Sequence, residues 1–203
     1  MRIGLSGAQG VGKTTLAGVL ARELGIPLVE EQARVVVKEF GLDSLRALKG
    51  RPQLSKEFQW ACLNAQIRVE NELGDRFIAD RTVVDNAAYW LKWRAGRSSS
   101  QDNLEYYRAC EARAGVYDLV IYLPPEIPLM SDGFRTANPV YQAEMDWLIK
   151  TLLWGMVRPR RIVKVRGEFE ERVNQGLAHI QRLQKDSAPK SLQELRDNAP
   201  DLC

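Results

Sequence analysis

Residues 2–16 read Arg2-Ile-Gly-Leu-Ser-Gly7-Ala-Gln-Gly10-Val-Gly12-Lys13-Thr14-Thr15-Leu16, and the fold turns on this stretch. Arg2–Ser6 is a short, largely apolar run that stops at a glycine, the pattern of a buried strand. From Lys13 the period changes. Leu16, Val19, Leu20 and Leu24 share one helical face, and Gly25 ends the helix. Between strand and helix lies Gly7–Thr14, a complete G-x-x-x-x-G-K-S/T loop. Glycines let the backbone wrap closely around phosphate oxygens with successive N–H groups pointing inward, and the helix N-terminus adds a favourable dipole. Gly7, Gln9, Gly10, Val11 and Gly12 form the cradle; Lys13 bridges the terminal phosphates. Thr14 offers its hydroxyl to Mg²⁺, and Thr15 offers one on the α-phosphate side. A glycine-rich turn without a ligand is the competing reading, which the strand–loop–helix context disfavours. G-x-G-x-x-G spacing is absent, which argues against a dinucleotide. The expected ligands are a nucleoside triphosphate and Mg²⁺.

Working outward, further strands are expected at Ile26–Glu30, Arg76–Asp80, Asp118–Leu123 and Arg161–Val165. Helices are expected at Val35–Phe40, Leu54–Leu73, Thr82–Trp93, Leu104–Ala114, from Pro139 to about Met156, and at Phe169–Leu183. Gly41–Pro52 and Ala95–Gln101 read as loops. Strands alternating with helices predict an α/β fold, a three-layer sandwich of a five-stranded parallel sheet with helices on both faces. A small lid is expected in Pro124–Asn138. Residues 1–183 read as one domain and 184–203 as a polar tail.

Composition narrows the function. Across 203 residues, 45% are hydrophobic and 27% charged, enough for one core without disulfides or a structural metal. A net charge of +3 is too mild to announce a nucleic-acid or membrane binder, although 20 of the 29 basic residues are arginine, the phosphate-gripping side chain. One histidine, His179, excludes a His-rich metal site. Cys62, Cys110 and Cys203 are scattered without a C-x-x-C pair, which excludes a zinc ribbon and fits a reducing compartment. With no leader-like or membrane-spanning apolar run, a cytoplasmic protein is expected, either monomer or homodimer.

Other residues gather chemistry at strand ends. Asp80 and Arg81 close the third expected strand, where ligands sit in open α/β sheets. Asp80 could hold Mg²⁺ or take a proton from an acceptor hydroxyl, and Arg81 could clamp an acceptor anion. Asp85, four residues on, could orient Arg81, the alternative being a helix-opening acid. Glu31 and Arg34 follow the second strand and face the acceptor, or else simply open a helix. Arg135, beside Asp132-Gly133 in the expected lid, would neutralise charge on the transferring phosphoryl group. Of the five tryptophans, Trp90 or Trp93 is the candidate to stack on a base. Gly167-Glu168 could border the adenine.

These residues together resemble P-loop kinases and ATPases typified by the ribosylnicotinamide kinase domain of NadR-like proteins. The marks are Gly7–Thr14, Glu31-Gln-Ala-Arg34, Asp80-Arg81-Thr82 with Asp85, Tyr117–Pro125 and Asp132-Gly133-Phe134-Arg135, spanning Arg2 to Leu183. The resemblance implies a P-loop NTPase sandwich, use of ATP and Mg²⁺, and phosphoryl transfer to a nucleoside-like hydroxyl or phosphate. A small-molecule nucleoside or nucleotide is thus the expected acceptor; a nucleic-acid 5′-hydroxyl is possible but not favoured. The alternative is an ATPase that serves as a partner-regulated switch with no acceptor. The kinase reading requires a closed second pocket opposite Lys13, lined by Glu31, Arg34, Asp80 and Arg81.

Overall fold

Strand β1 (Arg2–Ser6) occupies the centre of a parallel sheet because both faces of its apolar run find helices to cover them. The computed structural model describes residues 1–129 and 138–187. Beside β1 lie β3 (Phe77–Asp80) and β4 (Leu119–Tyr122), and the edges are β2 (Leu28–Val29) and β5 (Ile162–Lys164), in the order β2-β3-β1-β4-β5. Register pairs Leu5 with Asp80 and Ser6 with Tyr122. The chain winds to one side of β1 and then to the other, so the carboxyl ends of β1, β3 and β4 open at the topological switch point.

Side chains alternate along the strands as period two demands. Ile3, Leu5, Ile78, Leu119 and Ile121 pack with Leu16 and Leu20 of helix α1 (Lys13–Leu24) and with Ile180 of α7 (Phe169–Ser187). Phe77, Ala79, Val120 and Tyr122 face the opposite way. They meet Leu63 of α3 (Pro52–Glu72), Val84, Ala87 and Trp90 of α4 (Val83–Trp93), and Tyr106 and Cys110 of α5 (Ser100–Ala114). Helices α2 (Gln32–Glu39) and α6 (Pro139–Met156) complete the layers. Each fully buried aliphatic side chain contributes roughly 1.5–3 kcal/mol. Leu20→Ala, at 0% exposure, would cost about 3 kcal/mol through the cavity it leaves.

The expected five-stranded parallel sandwich is observed, with differences at element ends. Pairing of β2 begins at Leu28, because Pro27 has no N–H to give the ladder. Helix α5 starts at Ser100 instead of Leu104: Ser99 caps it, accepting from Asp102 N at 3.0 Å while Asp102 accepts from Ser99 N. Helix α2 likewise opens earlier, at Gln32, and a 3₁₀ turn, Leu45–Leu48, stands inside the expected loop. Helix α7 runs to Ser187, so the expected boundary at 183 falls within a helix; residues 188–203 lie outside the described ones. Among the described residues no helix is long and apolar enough to cross a membrane.

Candidate functional site

The phosphate loop joins β1 to α1 at the sheet's open edge. Gly7, Gly10 and Gly12 have φ of 152°, 74° and 86°. A Cβ at Gly7 would run into the Leu123 carbonyl oxygen, so glycine is required there twice over. Gly12 caps α1 with no side chain on the helix N-terminus, leaving the first amides to a ligand. Lys13, 5% exposed, folds over the loop and donates from Nζ to the Gly7 and Ala8 carbonyls, both at 2.6 Å. Two other helices brace the loop from outside. Gln142 of α6 donates to the Gln9 carbonyl at 2.7 Å, and Arg172 of α7 donates to the Val11 carbonyl at 3.0 Å and the Gly167 carbonyl at 2.7 Å. The Gly167 turn is thereby tied to the phosphate loop. The Gln9 amide is buried, and neither of its polar atoms has a partner among the described residues.

Asp80 ends β3 next to this loop. Thr14 Oγ1 donates to Asp80 Oδ2 at 2.6 Å, while Asp80 Oδ1 is buried without a partner among the described residues. Burial pushes the Asp80 carboxyl up from its ordinary value, against the Thr14 hydrogen bond and the Lys13 and Arg81 charges, which pull it down. An orphaned carboxylate oxygen beside a threonine hydroxyl suits a hard divalent cation. Mg²⁺ takes one or two such ligands and completes its shell with water and phosphate oxygens. Thr14 and Asp80 fit that ion. Among the described residues no trio of His, Cys, Asp or Glu forms a metal cage of its own.

Glu31, Arg34 and Arg81 come together. Glu31, 4% exposed, lies 3.0 Å from Arg81 Nε and 3.2 Å from Arg34 Nε. Arg81 donates from Nη2 to the Tyr89 hydroxyl at 3.2 Å and stands 4.8 Å over the Tyr89 ring. Burial opposes its charge, but Glu31, Tyr89 and Asp85 outweigh that and raise its pKa. Its backbone is at φ 98°, the only positive φ at a non-glycine residue among those described. Such a conformation costs about 1–3 kcal/mol and persists where the surroundings enforce it. Asp85 does not contact Arg81 as expected. Its Oδ2 accepts from Ser6 Oγ at 2.7 Å and from Thr82 N and Oγ1, and its Oδ1 accepts from Gly7 N at 3.3 Å. The Thr82–Asp85 capping box uses up the carboxylate, which reaches Arg81 only through charge.

A cavity of about 900 Å³ opens beside this triad. Its walls are one face of α4 (Asn86, Tyr89, Trp93) and one face of α3 (Ser55, Phe58, Cys62, Gln66), and residues 45, 46 and 48–51 also line it. Glu31 and Arg81 line it; Asp80 and Arg34 do not, although both had been expected there. Trp93 lines the cavity, whereas Trp90 is fully buried and stacks on Tyr106 at 4.1 Å, so its role is packing. Sequence reasoning missed Arg94 and Arg97 in this wall. The spacing of Asn86, Tyr89 and Trp93 on one helical face was the available signal. Thr15 is exposed at the start of α1. Arg135, with Asp132–Phe134, lies outside the described residues.

A family profile described as an AAA domain (AAA_28) matches residues 2–172. The chain belongs to the AAA_28 family. No curated protein matches its sequence. Among solved structures, this AAA_28 domain is similar to NadR protein in complex with NR, with a TM-score of 0.70 at 18% identity over 94% of this chain and 53% of NadR. Deoxyadenosine kinase from M. mycoides with bound dCTP gives 0.62 at 15% identity, over 90% of this chain and 100% of that one. Thymidylate kinase from Candida albicans gives 0.63 at 17%, over 91% and 92%. At these identities the likeness is one of fold, and it bears out the resemblance to NadR-like P-loop domains. The AAA_28 chain spans about half the length of NadR.

Proposed function

We propose that this chain is a kinase that moves the γ-phosphoryl group of ATP, with Mg²⁺, to a nucleoside- or nucleotide-type acceptor. One observation carries the reading: the phosphate loop and the cavity of about 900 Å³ meet at consecutive residues, Asp80 and Arg81. A donor site and an acceptor site thus share one strand end. An ATPase switch without an acceptor needs no such cavity.

The residues divide the work. The loop amides and Lys13 hold the β- and γ-phosphates, and Lys13 gains charge to neutralise as the bond to the departing ADP breaks. Mg²⁺, when bound, screens the phosphate oxygens and favours ADP as a leaving group. Thr14 and Asp80 would hold that ion. Glu31 faces the cavity, so we assign it the acceptor hydroxyl: it takes the proton as the new O–P bond forms. This places the base at Glu31 instead of Asp80, the residue that the sequence offered as proton acceptor. Arg81 and Arg34 fix the orientation of Glu31, and Arg135 is proposed as the lid cation. Asp85 supports Gly7 and Thr82 and so sets the loop against β3. Residues 1–183 are proposed as the catalytic domain with 184–203 as an appendage, and the buried free thiols of Cys62 and Cys110 support a cytoplasmic setting.

The test is ADP formation with a panel of nucleosides, nucleotides and 5′-hydroxyl oligonucleotides, using Lys13→Ala as the blank. Acceptor-dependent ADP and a phosphorylated product are expected. Slow hydrolysis that no acceptor accelerates would overturn the kinase reading in favour of the switch.

A further inference from the structure

The two ends of the cavity differ in charge. At one end Arg81 is neutralised by Glu31, and Gln66 Nε2 donates to the Arg81 carbonyl at 3.4 Å. Helices α3 and α4 run antiparallel along the cavity: Gln66 lies by Arg81, and Trp60 meets Trp90 with ring centres 6.2 Å apart. The N-terminus of α3 therefore comes beside the C-terminus of α4. Helix α4 has 11 residues, about 16 Å of length, so this second end is well removed from the reacting centre.

The far end is lined by Lys49, Arg51, Arg94 and Arg97. None of the four has an ion-pair partner among the described residues. Arg94 is the telling member. It is 4% exposed; among the described residues its Nε has no hydrogen-bond partner and its Nη2 has only long bonds to Arg97 O (3.3 Å) and Ser98 Oγ (3.4 Å). Asp102, whose charge it feels, is held by Lys56 at 2.6 Å and by Ser99 N. Burial and the adjacent Arg97 push the Arg94 pKa down. A buried guanidinium fork without a carboxylate is costly unless an anion meets it. The N-terminus of the 21-residue α3, with no side-chain cap, points its positive end at the same place. Phe58, Tyr89 and Trp93 line the span between the ends, a surface for flat rings.

We propose that the acceptor carries a phosphate group remote from the oxygen that is phosphorylated, and that Arg94 and Arg97, with Arg51 and Lys49 at the start of α3, bind that phosphate. The inference rests on the kinase reading only in naming this ligand the acceptor. A nucleoside has no such anion, and a nucleoside 5′-monophosphate carries its anion at the reacting end. In a dinucleotide with a free 5′-hydroxyl the phosphodiester lies one sugar away from that hydroxyl, too near to bridge such a span, whereas the second phosphodiester of a 5′-hydroxyl trinucleotide, or a later one in an oligonucleotide, supplies the required spacing.

The experiment reads acceptor binding directly, by quenching of tryptophan fluorescence with the phosphate loop saturated by a non-hydrolysable ATP analogue and Mg²⁺. Probes are 5′-hydroxyl trinucleotides of each common base, their parent nucleosides, and a longer 5′-hydroxyl oligonucleotide. Trinucleotides are expected to bind about tenfold more tightly than nucleosides, with the gain weakening as salt rises. Arg97→Gln, at an exposed position, and Arg94→Gln should each erase the gain and leave nucleoside binding alone. Equal affinity for both probe classes, or a gain that survives both substitutions, overturns the subsite. A further increase with oligonucleotide length identifies a nucleic-acid backbone as the source of the phosphate; no increase identifies a short oligonucleotide. Because no transfer is required, a gain without acceptor-dependent ADP would sink the kinase reading alone, and transfer to nucleosides without a gain would sink the subsite alone.

Discussion

The phosphate loop and the cavity beside it are neighbours built on opposite principles. The loop is made of backbone. Its shape comes from the positive φ of Gly7, Gly10 and Gly12, and its charges come from one lysine and the first amides of α1. The cavity is made of side chains from residues 31 to 141, brought together by packing α3 against α4. A backbone device tolerates few substitutions and serves every nucleotide in the same way. A side-chain trough can be relined one residue at a time, which is where specificity can be set.

That contrast can be broken most directly at Lys13. Lys13→Ala should lower kcat by about 10³-fold, roughly 4 kcal/mol of transition-state stabilisation, without changing acceptor affinity. Steady-state ADP release and acceptor titration check both parts, and a large loss of acceptor affinity would mean that the two regions are not separable. Asp85→Ala comes next. Removing a buried carboxylate bonded to Ser6, Gly7 and Thr82 should cost about 3 kcal/mol, and a Tm lower by roughly 6–12 °C would report it. A smaller effect is expected on the trough side, where Glu31→Gln leaves Arg81 buried without its counter-charge. About 2 kcal/mol of stability should be lost, and most of it should be absent when Arg81→Gln is already present. Additive losses in urea unfolding would show that the pair does not act as a unit.

The mildest effect concerns Asp80. Its pKa is raised in the folded chain, so between the unfolded and folded values the native state keeps a proton that the unfolded state has released. Stability therefore falls as pH rises through that window, and above it the ionised carboxylate remains a cost. Asp80→Asn should flatten this part of the profile of Tm against pH and raise Tm at neutral pH. An unchanged slope would show that burial is not what governs this carboxyl.

Much of the phosphate side was readable from residues 2–16, since glycine spacing, a lysine and the onset of a 3.6 period all lie within one local segment. Asp80 was readable as the end of an apolar strand, and its partnership with Thr14 follows from placing that strand next to β1. Asp85 was found but given the wrong neighbour. The Thr82-x-x-Asp85 box that consumes its carboxylate was visible in the sequence, whereas Ser6 and Gly7 arrive only through the sheet. Trp90 and Trp93 could not be told apart by type. Three positions on a helix turn one inward onto Tyr106 and the other toward the cavity. Arg94 was passed over because nothing local shows that an arginine after a helix is 4% exposed.

The amino-acid sequence by itself determined the strand–loop–helix cradle, the parallel α/β plan and the set of carboxylates and arginines available for chemistry, because backbone conformation and periodicity are local properties. Only the tertiary structure decided which of those groups face one another: Thr14 with Asp80, Glu31 with Arg81 and Arg34, and Arg94 at the distant end of the α3–α4 trough. The physical reason is that charge pairing and burial depend on distances between segments far apart in the chain, set by which helical faces the sheet and its covering helices leave open.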